Sequence, residues 1–94
     1  MEIFVRVEDD GECKWLCHDE EWGEWYLDDY AIDNSYEAVA TPFKSYVEAK
    51  RAASIARDIV YSSGSIGKIR TTYWELRGAD LVQVKFDRAG NRKN

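Results

Sequence analysis

A single stretch of this chain carries the three- and four-residue spacing of a helix, and it lies between segments that alternate with a period of two. Ala49, Ala52, Ala53, Ile55, Ala56, Ile59 and Val60 recur at helical steps and form a wide apolar stripe. That stripe must be buried, and with no second helix to receive it a sheet is its natural cover. Its alanines permit close approach. Ser45 and Glu48 stand at capping-box spacing, in which hydroxyl and carboxylate each accept a free backbone N–H, so the helix is predicted to begin at Tyr46. Ser62, Ser63 and Gly64 end it, and Pro42 fixes the entering loop without breaking helical hydrogen bonds. Lys50, Arg51, Ser54 and Arg57 fall on the opposite, solvated side.

Residues 2–8 place Ile3, Val5 and Val7 on one side and Phe4, Arg6 and Glu8 on the other, as a half-buried strand does. Asp9, Asp10 and Gly11 form a turn of the Asp-Gly type, and residues 13–17 alternate again with Cys13, Trp15 and Cys17 together. This is an antiparallel hairpin. Beyond the helix, residues 68–77 and 81–87 read as a second hairpin joined through Gly78, Ala79 and Asp80, with Val82, Val84 and Phe86 on one side. Residues 18–40 interleave acids with aromatics without a lasting period: a short strand at 25–30 competes with a long ordered loop, and Asp33, Asn34 and Ser35 form a turn cluster. The expected fold is α+β, an antiparallel sheet of four or five strands with one helix across one face, in ββαββ order. Residues 1–87 make the single domain, and the basic tail at 88–94 lacks apolar anchors and is expected to fray.

Ninety-four residues suffice for one core and not for two. No apolar run is long enough to span a bilayer, and no charged start followed by a short apolar stretch and a cleavage site opens the chain, so a soluble, cytoplasmic protein is expected. Cys13 and Cys17, four apart on a strand, are too distant to bridge and are expected to be free, buried thiols. The one histidine, His18, could form a metal cluster with Cys13, Cys17 and Asp19, but zinc needs a second pair of ligands and no further Cys or His exists. Haem attachment requires two residues between the cysteines, where three stand here. Cys17 and His18, adjacent on a strand, turn away from one another, which disfavours a nucleophile–base pair. No phosphate loop or nucleophile elbow is present, and the acids are too many to single out a catalytic one. The expectation is a protein without catalytic activity, cofactor or metal.

The net charge of −5 conceals a division. Residues 1–40 carry thirteen acids against two basic residues, and residues 41–94 carry five acids against eleven. Such asymmetry bears on partners and association rates. The candidate partner-binding residues are Asp19, Glu20, Glu21, Trp22, Glu24, Trp25, Asp28, Asp29 and Tyr30, where carboxylates can imitate nucleic-acid phosphates and rings supply interface anchors. The competing account is that the rings fill the core and the acids confer solubility. An alternative basic surface comprises Lys50, Arg51, Arg57 and Arg70, continued by Lys68, Arg77, Lys85, Arg88, Arg92 and Lys93, with Tyr73 and Trp74 available to stack on bases. The low pI argues against a dedicated nucleic-acid binder.

The opening strand at residues 2–8, the helical segment at 45–53 and the closing hairpin at 68–87 resemble, in arrangement, the small phage-encoded anti-CRISPR proteins of type I systems. The resemblance covers about two thirds of the chain by this count of elements. It implies an inhibitor that sits on a CRISPR effector or another nucleic-acid-binding host complex and blocks target DNA, by acidic mimicry or by occupying basic channel residues. The insert from Trp22 to Tyr30 matches no pattern of that family. The order also resembles antitoxins that place a Glu-Ala helix behind a hairpin, although their Pro-Gly-Cys stretch is absent here.

Overall fold

A computed structural model describes residues 2–33, 35 and 37–93. Asn34 of the expected turn, Tyr36 and the final residue of the tail lie outside them. Five strands, β1 (Phe4–Asp9), β2 (Glu12–Asp19), β3 (Glu24–Asp28), β4 (Ile69–Arg77) and β5 (Asp80–Val84), form one antiparallel sheet in the order β3-β2-β1-β4-β5. The helix α1 (Tyr46–Ser62) packs across one face, giving an α+β fold. The competition over residues 25–30 is settled for a strand. Glu24–Asp28 pairs with the second half of β2 from Asp28↔Trp15 to Glu24↔Asp19, so the order is βββαββ. The β1–β2 turn is Asp10 and Gly11, both at positive φ (53° and 87°), the geometry an Asp-Gly pair suits.

On the helix side, Ile3, Val5 and Val7 of the opening segment and Leu16 of β2 meet Ala49, Ala52, Ala53, Ala56 and Val60. The alanines let the helix backbone approach the sheet, and Leu16 at the centre is fully buried. Ser45 caps the helix as expected, its hydroxyl accepting the Glu48 N–H at 3.2 Å. The return contact differs: Glu48 accepts the backbone N–H of Lys44 (3.0 Å) rather than that of Ser45.

The opposite face carries a second cluster of Phe4, Trp15, Ala31 and Ala40, with Trp74 and Leu81 at its edge. The Arg6 guanidinium lies here, 4.2 Å from the Trp74 ring and 5.7 Å from that of Trp15, and bonds Glu8 at 2.6 Å. The segment that follows β3 covers this face and then leaves it. Asp33 organises its turn by accepting N–H groups of Ser35 and Glu37, each at 2.9 Å. Val39 and Ala40 then donate to the Ala31 carbonyl.

From there the chain passes between two strands. Thr41 donates to the Leu16 carbonyl (3.1 Å) and its hydroxyl accepts the His18 N–H (2.8 Å), while Phe43 and Ile3 exchange both backbone bonds at 2.8 Å. Residues 41–43 thus occupy the gap where β1 and β2 part beyond the Arg6↔Trp15 pair. Ala40 packs on one face and Phe43 on the other, so the chain changes sides of the sheet here.

The described part of the tail is turned back rather than extended. Lys93 donates to the Lys85 carbonyl, Asp87 accepts N–H groups of Ala89 and Asn91, and Arg92 reaches Glu75 at 3.0 Å. Hydrogen bonds and one ion pair hold it where apolar anchors are absent. Arg77 and then Arg92 keep the Glu75 carboxyl below its ordinary pKa, so this tether is present at neutral pH and is lost as pH falls through that lowered value.

The wedge yields a test. Thr41→Val removes the acceptor for the His18 N–H while preserving side-chain shape, and should cost about 1–3 kcal/mol of stability in urea denaturation, with the fold's circular dichroism retained.

Candidate functional site

The β2–β3 hairpin ends in a turn built by one carboxylate. Oδ1 of Asp19 accepts the backbone N–H groups of Glu21 (3.0 Å) and Trp22 (3.2 Å), and Gly23 donates to the Asp19 carbonyl at 2.7 Å. Gly23 lies at φ +68°, where a side chain would be strained. The turn therefore holds Glu20, Glu21 and Trp22 outward in a fixed arrangement, with Trp22 74% exposed.

Below the turn, pairing decides which side chains share a face. Asp19 opposes Glu24, Cys17 opposes Tyr26 and Trp15 opposes Asp28. Because cross-strand partners point the same way, Glu24, Tyr26 and Asp28 form a stripe on the face away from α1, beside Asp19. Like charges directly opposite one another destabilise a sheet, so the Asp19–Glu24 pair costs stability unless a cation from elsewhere meets it. None of Asp19, Glu20, Glu21, Glu24 and Asp28 enters an ion pair among the described residues. Tyr30, 72% exposed, follows where the Asp28 carboxylate accepts its N–H at 2.9 Å.

Two of the candidate residues stand apart from this group. Trp25 points to the helix side, half-buried against Phe43 (ring centroids 6.1 Å apart) and His18 (4.5 Å), so it serves the core. Asp29 is exposed but paired with Lys14 at 2.8 Å. Conversely Tyr26, not among the candidates, is 41% exposed at the centre of the stripe. Its signal was the period of two from Glu24 to Asp28, readable once that segment is known to be a strand.

The basic surface does not come together as one patch. Arg70 pairs opposite Glu8, on the face away from the helix. Arg57 is not free on the solvated side: it donates to Thr71 (3.0 Å) and Ser54 (3.2 Å). Lys50 and Arg51 remain, joined by Arg88 of the returning tail around a groove of about 400 Å³ that also includes Tyr46 and Val47. Tyr73 packs against Tyr46 and Phe86, and Trp74 lies over Arg6 while donating to Thr72, so neither ring is free to stack on a base. A separate cleft of about 400 Å³, between the end of α1 and β2–β3, is lined by Val7, Trp25, Leu27, Ile59 and Val60 and lies away from the acidic turn.

Cys13 and Cys17 are both free thiols, but only Cys17 is buried; Cys13 lies exposed near the β1–β2 turn. Burial, with Asp28 adding to it, pushes the Cys17 thiol up to about 11. His18 turns toward the helix side with Trp25, away from Cys17. Among the described residues no three His, Cys, Asp or Glu side chains are grouped to hold a metal ion. No described helix is long and apolar enough to cross a membrane. Comparison with protein-family models, curated proteins and solved structures finds no match.

Two outcomes follow from this geometry. Thiol titration of the folded protein at neutral pH should count one fast-reacting group, Cys13, and a second only after denaturant is added. Glu24→Lys should raise the urea midpoint, by roughly 0.2–1 kcal/mol in stability, because it converts the opposed acids into an attractive pair.

Proposed function

We propose that this protein is a non-catalytic inhibitor that docks its acidic β2–β3 hairpin onto the basic surface of a nucleic-acid-handling host protein, in the manner of the anti-CRISPR proteins. One observation carries the reading: five carboxylates without an ion pair among the described residues share one hairpin with exposed rings, Trp22 between Glu21 and Gly23 in the turn, Tyr26 between Glu24 and Asp28 on the outward stripe, and Tyr30 just beyond the end of β3. Acids that serve solubility alone have no need to cluster around exposed aromatics. Tolerating Asp19 opposite Glu24 likewise fits a surface selected for binding.

The physical mode follows. Negative charge steers the hairpin toward a groove lined with Lys and Arg, where the carboxylates take positions that phosphates occupy. Trp22 and the tyrosines then supply the buried contact area, and the Asp19 turn reduces the ordering cost. Such a target places the protein in a host cytoplasm, and the phage-encoded, anti-defence character belongs to the same proposal. The alternative, a small nucleic-acid-binding module or antitoxin-like protein using Lys50, Arg51, Arg57 and Arg70, is less well served: Arg70 lies on the other sheet face and Arg57 is engaged by Thr71.

The test is competition. A purified type I CRISPR effector complex should lose affinity for labelled target duplex when the protein is added. The triple variant Glu20→Lys, Glu21→Lys, Glu24→Lys should weaken that inhibition by more than tenfold, and Lys50→Glu, Arg51→Glu should leave it intact. Undiminished DNA binding in the presence of wild-type protein excludes this target, and inhibition surviving the triple reversal excludes the acidic hairpin. A salt-sensitive mobility shift of DNA by the protein alone would favour the alternative.

A further inference from the structure

The electrical division of the chain ends, in three dimensions, as two separate features of opposite sign. One is a convex turn, Glu20, Glu21 and Trp22, with Glu24 at its base; the other is a concave groove between the first turns of α1 and the returning tail, bearing Lys50, Arg51 and Arg88. Among the described residues the three acids of the turn and the three cations of the groove enter no ion pair, and Lys50 Nζ lies 5.9 Å from the Tyr46 ring.

We propose that the occupant of this groove is a second copy of the chain, which inserts its acidic Trp22 turn. Charge complementarity carries the choice: three carboxylates and an indole on one copy meet three cations and the apolar walls of Tyr46 and Val47 on the other. An indole between Lys and Arg side chains gains a cation–π contact that a carboxylate alone does not supply. The groove offers about 400 Å³ of space, lined by Tyr46 and Val47 beside the three cations. The turn is already ordered by the Asp19 carboxylate, so little flexibility is lost on docking. The contact joins two different surfaces, so it either closes reciprocally in a pair or extends from copy to copy. Its electrostatic origin makes it weak and salt-sensitive. It also buries the acidic turn, so self-association and docking of that turn on any other basic partner exclude one another.

Sedimentation velocity on the wild-type protein tests this directly. At low ionic strength the weight-average mass should climb above the 10.9 kDa of one chain as concentration rises, and return to it in high salt. Trp22→Ala should weaken association about tenfold, near 1.4 kcal/mol. Glu20→Lys, Glu21→Lys should be monomeric, since its turn and its groove are both basic; Lys50→Glu, Arg51→Glu should be monomeric, since both are acidic. Mixing these two variants in equal amounts should restore association. All substituted positions are exposed, and circular dichroism reports whether each variant remains folded. A wild-type protein that stays monomeric at low salt overturns the proposal, as do association by either reversed variant alone and failure of the mixture to associate.

Discussion

The backbone groups of Ile3, Leu16 and His18 find their partners in residues 41–43, and much of the molecule's layout follows from that wedge. Buried N–H and C=O groups must be paired, so β1 and β2 can part beyond Arg6 and Trp15 only because something fills the opening. What fills it also links the two faces. Ala31 and Ala40 cover the far face before the crossing, Phe43 joins the helix side after it, and Ser45 starts α1 two residues later. The upper half of β2, released from β1, is left with β3, and the pair carries the acidic turn at its end.

The distribution of charge is settled by which acids the few local cations engage. Residues 1–40 contain two basic side chains, and both are used away from the turn: Arg6 bonds Glu8 and Lys14 bonds Asp29. In the second half Arg77 and Arg92 are drawn to Glu75. An exposed pair such as Lys14–Asp29 contributes little to stability. The consequence of these pairs is positional, because they consume charge away from the β2–β3 turn and leave, among the described residues, an acidic turn and a basic groove without ion pairs.

The helix, its start at Tyr46 and its alanine face were legible from the sequence because their spacing and caps are local properties. The opening hairpin was legible for the same reason: alternation fixes which side chains share a face, and Asp10 and Gly11 accept the positive φ of a tight turn. Placement of residues 18–40 was harder to read. A five-residue strand rich in acids carries a weak signal, and what makes Glu24–Asp28 a strand is its ladder to β2 rather than its own composition. Hence Trp25, read as an interface ring, packs on Phe43, and Tyr26 takes the outward position.

By itself the sequence determined the α+β class, the single helix with its buried stripe, and the separation of negative from positive charge along the chain. Those follow from local period and composition. Tertiary structure alone decided that residues 41–43 pass between two strands, that Arg70 and Lys50 lie on different faces, and that Arg88 joins Lys50 and Arg51. Each of these depends on contacts between residues far apart in the chain, and no short-range pattern encodes which distant segment will satisfy a given backbone group or share a given groove.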